Sequence, residues 1–336
     1  MVCKSKLIAV ILCIIILFTI AGCTQEAKYP SKPVNLVIGW AAGGITDKVI
    51  RSVAAIAEKD LGQPIVVTNM PGATSAVATQ YVFSQKADGY TIYGSAENPA
   101  LFQVLGLSER SIDDFDPIIL LIQGVPVLLV NNDAPWSNIQ EFINDLKVKG
   151  KEIKMAYTGV GGLPFTAFNM MKMALGVECT IVPFDGDAPS ITALMGKQVD
   201  FTIATATAAQ EYVRSGKLRA LALFSKEKVK GFENVPLMQE VFPEMAKYLP
   251  WGSFYGIFVK KGTPQEIKDK LTEVFTKAVE NPEWDKVVEE LCAIKLNLKG
   301  EEATQFIKRW QSVTCWVLYE AGATAKSPAE FNIPKP

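Results

Sequence analysis

The 336-residue chain contains no histidine. That absence removes the Ser-His-Asp and Cys-His arrangements of nucleophilic enzymes and the most common metal ligand. No Gly-x-Ser-x-Gly elbow is present, and no Gly-x-x-x-x-Gly-Lys-Ser/Thr phosphate loop. The "GVGG" at 159–162 is only half of a dinucleotide fingerprint. None of the six cysteines stands in Cys-x-x-Cys spacing, so neither a zinc site nor a redox pair is marked. The formal charge of −1 lacks the basic excess of a nucleic-acid binder. Carboxylates are plentiful, so composition alone does not exclude a glycosidase pair, but no motif marks one.

What is present is apolar: 49% of the residues, enough for a core in each of two lobes. Lys4 and Lys6 precede a continuous apolar run at 7–20, which is short for a membrane span and suits a signal-peptide core. "IAGC" at 20–23 has the form of a bacterial lipobox. The expectation is a signal over 1–22, lipid on Cys23, and a polar, proline-containing tether over 23–33. An uncleaved anchor helix is the alternative. Cleavage removes two lysines and moves the formal charge from −1 to −3. Of the remaining cysteines, Cys179, Cys292 and Cys315 read as small buried residues, with Cys292–Cys315 the more plausible pair if an oxidising compartment makes one.

Beyond the tether, apolar strands alternate with helical patterns. Strand 34–40, helix 46–60, strand 64–69, helix 74–85 and strand 90–95 make a β-α-β-α-β run, which implies a parallel sheet. In the first helix Val49, Ile50, Val53, Ala54 and Ile56 recur at helical spacing. Residues 116–131 form one long extended stretch, of the kind that passes between lobes. A second α/β unit follows, with strands at 153–157, 179–184, 199–204 and 218–224 and helices at 137–149, 164–175, 188–195 and 207–215. A loop with a short helix spans 225–250. Residues 252–264 are extended again, as a return crossing, and helices at 264–280, 283–291 and 301–320 fill the tail. Crossings near 124–130 and 250–256 are the expected hinge.

Three strand-to-helix loops are rich in small residues: "AAGGITD" (41–47), "TGVGGLPF" (158–165) and "FDGDAPS" (184–190). In open α/β sheets ligands bind at the carboxyl ends of strands. The free N–H groups of a helix N-terminus favour an anion by about 0.3–1 kcal/mol, up to ~2 when partly buried. Glycine and alanine let a ligand reach them. Thr46 adds a hydroxyl, and Asp47 can cap the helix. A carboxylate fits such donors as well as a phosphate does. The competing reading is that these glycines are ordinary turn residues.

These residues also carry a resemblance. "YPSKPVNLVIGWAAGGITDKVIRSVA", "LGQPIVVTNMPGA", "ADGYTIYGS", "VPFDGDAPSITALMGKQVDF", "SGKLRALAL" and "FVKKGTP" occur in order and resemble the extracytoplasmic solute receptors of tripartite tricarboxylate transporters, the TctC/Bug type, over roughly 29–325. The resemblance implies an α/β, two-lobed type II periplasmic-binding-protein fold, each lobe a mainly parallel sheet flanked by helices, with lobe 1 at 34–126 and 253–336 and lobe 2 at 127–252. It implies a monomeric receptor, not an enzyme, with no cofactor or metal and no nucleic-acid partner. Such a receptor captures a small organic carboxylate in the interlobe cleft and hands it to membrane permease subunits, outside the cytoplasmic membrane and held there by lipid. A receptor of the same fold signalling to a membrane sensor is the alternative, and an enzyme acting on a carboxylate is a third, disfavoured reading.

Carried over residue by residue, the implied ligand contacts are Ala42, Gly43, Gly44, Thr46 and Asp47, facing Thr158, Gly159 and Gly161. Asn98 and Thr205, each following a strand, join them. Trp40, where the family has Phe, either walls the site or packs in the core. The chain departs from the family pattern elsewhere. Ala42 replaces Pro, and Leu163-Pro164-Phe165 replaces Pro-Pro-His. Ala204 stands where members often carry an Asp that binds ammonium, which implies that amino acids are not the ligand. Asp185 and Asp187 stand where members have neutral or basic residues. Facing the cleft, each would oppose a second ligand carboxylate by ~4 kcal/mol at about 4 Å and an effective dielectric of about 20. A monocarboxylate, or a polycarboxylate carried with a metal ion, is then expected. The alternative is that both side chains are solvated or cap the helix at 188.

Overall fold

The computed structural model describes residues 28–336, apart from Val160 and Asp185. The expected signal over 1–22, the lipidation at Cys23 and residues 23–27 of the tether fall outside the described residues, as does Asp185. Residues 32–336 form one compact unit. No helix among the described residues is long and apolar enough to cross a membrane.

The first half of the body runs β1 (Val34–Ile38), α1 (Ile45–Leu61), β2 (Ile65–Asn69), α2 (Ala76–Ser84), β3 (Thr91–Ala96), a short α3 (Phe102–Leu105) and β4 (Phe115–Gln123). The chain then leaves for a second sheet through β5 (Pro126–Asn131), α4 (Ile139–Lys149), β6 (Lys154–Tyr157), α5 (Leu163–Leu175), β7 (Thr180–Pro183), α6 (Asp187–Met195), β8 (Phe201–Thr205), α7 (Ala206–Arg214) and β9 (Leu218–Leu223). After α8 (Met238–Val241) it returns as β10 (Phe254–Lys260), α9 (Gln265–Glu280), α10 (Pro282–Glu290), β11 (Ile294–Leu298) and the long α11 (Gly300–Glu320).

The two sheets have the orders β11-β4-β10-β3-β1-β2 and β7-β6-β8-β5-β9. The expected parallel arrangement holds where β1 pairs β2 and β3, and where β6 pairs β7 and β8. The strands that cross between sheets are antiparallel to their neighbours, as are β9 and β11, so both sheets are mixed. Helix α1 buries Val49, Ile50, Val53, Ala54 and Ile56, the stripe its spacing predicts. It lies so close to β3 that a Cβ on Gly94 would stand 2.4 Å from Ile50 Cγ2.

Strand β1 stops at Ile38, two residues earlier than expected. Gly39 lies against Ser75, where an added Cβ would fall 2.4 Å from the serine Cβ. The expected long extended stretch is two strands, β4 and β5, separated by Gly124 and Val125. Here the outgoing and returning chains touch backbone to backbone. Gly124 N donates to Ser253 O at 2.7 Å, and a Cβ on Gly252 would sit 2.0 Å from Gly124 O. Helix α11 pins the return: Trp310 Nε1 donates to Gly252 O and Trp251 Nε1 to Thr314 Oγ1, with the two indoles stacked. Cys179, Cys292 and Cys315 are free thiols, so the Cys292–Cys315 pair is not formed. Burial pushes the Cys292 thiol up to about 11 and Cys315 up to about 12, as befits inert packing groups.

Candidate functional site

Topology brings the loops together. β4 runs parallel to β1–β3, because β3 and β4 are both antiparallel to β10 and β1 and β2 run parallel with β3, so the chain exits the first sheet at the edge where β1, β2 and β3 end. It enters the second sheet with Pro126 opposite Thr205, at the edge where β6, β7 and β8 end. The strand-end loops of the two sheets therefore open toward one another beside the crossings. They meet there: a Cβ on Gly161 would lie 3.2 Å from Leu105 Cδ1 of α3.

On the first side, Ala41–Gly44 are exposed and lead into α1, whose N-cap is Gly44. The N–H groups of Ala42, Ile45 and Thr46 have no protein partner among the described residues. Gly43 differs: its N–H donates to Asp47 Oδ2 at 3.0 Å. Gly43 has φ +84, a left-handed conformation that glycine adopts without strain. Asp47 is thus part of the loop's frame. It is buried, and it also accepts from Arg51 at 2.7 Å and from Asn69 Nδ2 at 2.9 Å. Asn69 Nδ2 reaches Trp40 O as well, and Arg51 reaches Asn69 Oδ1, which closes a ring of bonds around the turn. The Arg51 guanidinium, aided by Gly43 and Asn69, holds the Asp47 carboxyl down at about 2 against burial. Trp40 is half-buried, with Nε1 inaccessible and unpartnered among the described residues.

Next to this loop lies a feature that the sequence reading missed. Ala73, Thr74 and Ser75, expected at or just before a helix start, all have positive φ (45, 54 and 71). Each left-handed non-glycine residue costs roughly 1–2 kcal/mol, and such strain collects at functional sites. The segment is held by Thr79 Oγ1, which donates to Ser75 O and shares a hydrogen bond with Tyr93 OH. Ala73 and Thr74 are exposed beside the β1–α1 loop.

On the second side, Thr158, Gly159 and Gly161 are half-buried, and both glycines are left-handed. Gly162 N donates to Gly159 O and Gly162 caps α5. Thr205 caps α7 through Oγ1, which accepts from Ala208 N. The same hydroxyl donates to Asp187 Oδ2 at 3.2 Å. Asp187 is the first residue of α6, so it stands at a helix N-terminus and tied to Thr205. Its carboxyl is nonetheless pushed up, because burial outweighs those bonds. Asn98 opens a single turn after β3, half-buried, its amide without a partner among the described residues. Ala204 is buried in the core of the second sheet.

The structure adds Glu97, which the sequence reading also missed. It follows β3 at the crossing. Ser253 Oγ donates to its Oε1 at 2.9 Å, while Oε2 is inaccessible and has no partner among the described residues. An unsatisfied buried acceptor costs about 1–3 kcal/mol. Burial pushes this carboxyl up to about 7. Burial raises the Tyr255 phenol first, and the Glu97 and Asp187 carboxyls raise it further. No lysine or arginine is among the groups that act on either acid. No cluster of three His, Cys, Asp or Glu side chains fit to hold a metal occurs among the described residues.

The comparisons with known proteins agree with one another. BugT of Bordetella pertussis is 29% identical over 283 residues, covering 82% of this chain and 85% of that protein. A TctC solute-binding protein from Polaromonas superposes with a TM-score of 0.77 at 28% identity, over 87% of this chain and 99% of that one. MatC from Rhodopseudomonas palustris, solved with bound malate, gives 0.68 at 28% identity, over 85% of this chain and 100% of that one. The model of the tripartite tricarboxylate transporter receptor family, TctC, matches residues 49–313. The chain belongs to that family of solute receptors.

Proposed function

We propose that this receptor captures a small organic carboxylate between its two lobes and delivers it to the membrane subunits of a tripartite tricarboxylate-type transporter. The observation that carries the reading is the row of N–H groups at Ala42, Ile45 and Thr46 that have no partner among the described residues. Neutral donors at a helix start hold one carboxylate without a buried cation. MatC, a structural neighbour at 28% identity, was solved with bound malate, itself a carboxylate. The ligand contacts in this reading are Ala42, Gly44, Thr46, Asn98, Thr158, Gly159, Gly161 and Thr205, with Trp40 as a wall. Gly43 and Asp47 shape the loop. Lobe 1 comprises 34–126 and 253–336, lobe 2 comprises 127–252, and the Gly124 and Gly252 crossings are the hinge. The receptor is monomeric, acts outside the cytoplasmic membrane held by lipid on Cys23, and performs no chemistry on its ligand.

The test is a thermal-shift and calorimetric screen of the purified chain against mono-, di- and tricarboxylates and amino acids. A ligand at one hundred times its dissociation constant adds ~2.7 kcal/mol of stability. Failure of every carboxylate to bind would sink the reading. Lipidation has its own readout: Cys23→Ala abolishes incorporation of labelled fatty acid.

A further inference from the structure

A cavity of about 140 Å³ lies beside the return crossing and shares no residue with the strand-end loops. One wall is α11, which presents Phe306, Arg309 and Trp310 at helical spacing. The facing wall is the segment that leads into the crossing, with Tyr248 and Trp251, and Lys226 joins it from just beyond β9. Tyr248, Trp251 and Trp310 are buried, Phe306 is half-buried, and Lys226 and Arg309 are exposed. The hollow thus has an aromatic floor and a cationic rim. The geometry points to a second binding site, which takes a small aromatic monoanion with its ring against the indoles and its charged group on Arg309 and Lys226. Such a site neither includes nor requires the β1–α1 loop.

The floor is apolar where a ring would lie. Trp310 Nε1 is engaged with Gly252 O at 2.8 Å and Trp251 Nε1 with Thr314 Oγ1 at 2.9 Å, so what the stacked indoles leave to the hollow is carbon. An apolar cavity of about 150 Å³ holds benzene, and the volume here matches one such ring. The rim is cationic and not neutralised. Arg309 makes one guanidinium bond, to Leu249 O at 3.2 Å, and neither it nor Lys226 forms an ion pair among the described residues. The neighbouring lysines differ, since Lys228 meets Glu240 and Lys230 meets Glu289. Lys247 stands 4.8 Å over the Tyr248 ring and adds to the positive field. No acid is among the residues that line the cavity. The larger hollow beside Trp136 shows the contrast, because there Lys149 and Lys197 are balanced by Asp133, Glu152 and Asp200. A guanidinium receives a carboxylate on parallel N–H groups, which a neutral ring substituent does not match. Inorganic phosphate would meet the same charges but leave the aromatic floor uncovered.

The experiment is a fluorine NMR titration of the full chain in detergent with para-fluorobenzoate and its neutral match, para-fluorobenzyl alcohol. A charge-assisted hydrogen bond discriminates by about 10- to 100-fold. The anion should therefore bind at least about 10-fold more tightly than the alcohol. Arg309→Gln and Lys226→Gln should each remove most of that preference while sparing the alcohol. Asp47→Asn, which alters the β1–α1 loop, should leave this binding unchanged. An alcohol that binds as tightly as the anion overturns the site, and so does full displacement of the anion by an equal concentration of inorganic phosphate. Binding lost in Asp47→Asn and kept in Arg309→Gln belongs to the carboxylate cleft, which overturns the second site and leaves the receptor reading intact. Variants that fold and keep the full preference also overturn it, as does the absence of binding at millimolar concentration. If Arg309→Gln does not fold, Lys226→Gln, at its exposed position, decides by the same criterion.

Discussion

The Glu97 carboxyl makes a prediction that needs no ligand. Burial raises it from its ordinary value of 4.5 to about 7. A raised acid holds its proton in the folded state over a range where the unfolded chain has lost it. Stability therefore falls as pH rises from about 4.5 to about 7, and is flat above. The gap is about 2.5 pH units at 1.36 kcal/mol each, so the full loss is about 3 kcal/mol. For a body of this size, with about 2.1 cal/mol/K of unfolding entropy per residue, that is a midpoint shift of about 5 °C. Asp187 shifts in the same direction and adds to the wild-type slope, so the diagnostic quantity is the difference between wild type and Glu97→Gln. Urea unfolding of ligand-free protein at a series of pH values measures it. The variant should gain on wild type steadily between about pH 5 and 7. Parallel curves for the two proteins would show that Glu97 ionises as it does in water, and would refute its placement beside Ser253 with one oxygen unsatisfied.

Other substitutions probe the frame of the site. Gly252→Ala forces a Cβ to 2.0 Å from Gly124 O, so it should cost about 1–3 kcal/mol or more in a urea titration, since neither crossing strand has room to yield. Asp47→Asn removes the charge that Arg51 meets and turns one of the two acceptor oxygens shared by Gly43, Arg51 and Asn69 into a donor, with an expected loss of about 1–3 kcal/mol and weaker carboxylate binding by calorimetry. Its pH signature is opposite to that of Glu97: the lowered carboxyl stabilises above about 4, and that contribution disappears as pH falls through about 2 in wild type only. Thr74→Gly relieves one left-handed residue, so it should raise the thermal midpoint, by about 1 kcal/mol in stability. A lower midpoint would mean that the threonine side chain contributes packing that outweighs its backbone strain.

Those features differ in how far the sequence discloses them. Helix α1 is legible because its apolar residues repeat every three or four positions and nothing in the tertiary structure contradicts that stripe. The passage between lobes is legible from the length of the extended run, although Gly124 and Val125 divide it. Strand β11 is not, since it is a short edge strand whose pairing with β4 is interrupted and whose Asn297 has φ +48. The left-handed turn at Ala73–Ser75 hides behind residues that read as ordinary helix formers; its stabilising partners, Thr79 and Tyr93, lie up to 18 residues away. Glu97 hides for a related reason. An acid between alanine and asparagine reads as surface, and only the return crossing at Ser253, 156 residues later, buries it.

The placement of charge around the two glycines gives the glycine loop its logic. An anion site beside an aspartate looks self-defeating, and Asp47 is two residues into the helix that would receive the ligand. Its charge is neutralised locally, by Arg51 on one side and by Asn69 and the Gly43 N–H on the other. What remains is a loop whose conformation is fixed before any ligand arrives. The N–H of Gly43 is turned toward Asp47, and those of Ala42, Ile45 and Thr46 are left without a partner among the described residues. Preorganised neutral donors lose little on binding, because neither side chain nor backbone must be ordered at that moment. They also carry no net charge, so a carboxylate held there, as in the proposed function, needs no buried cation.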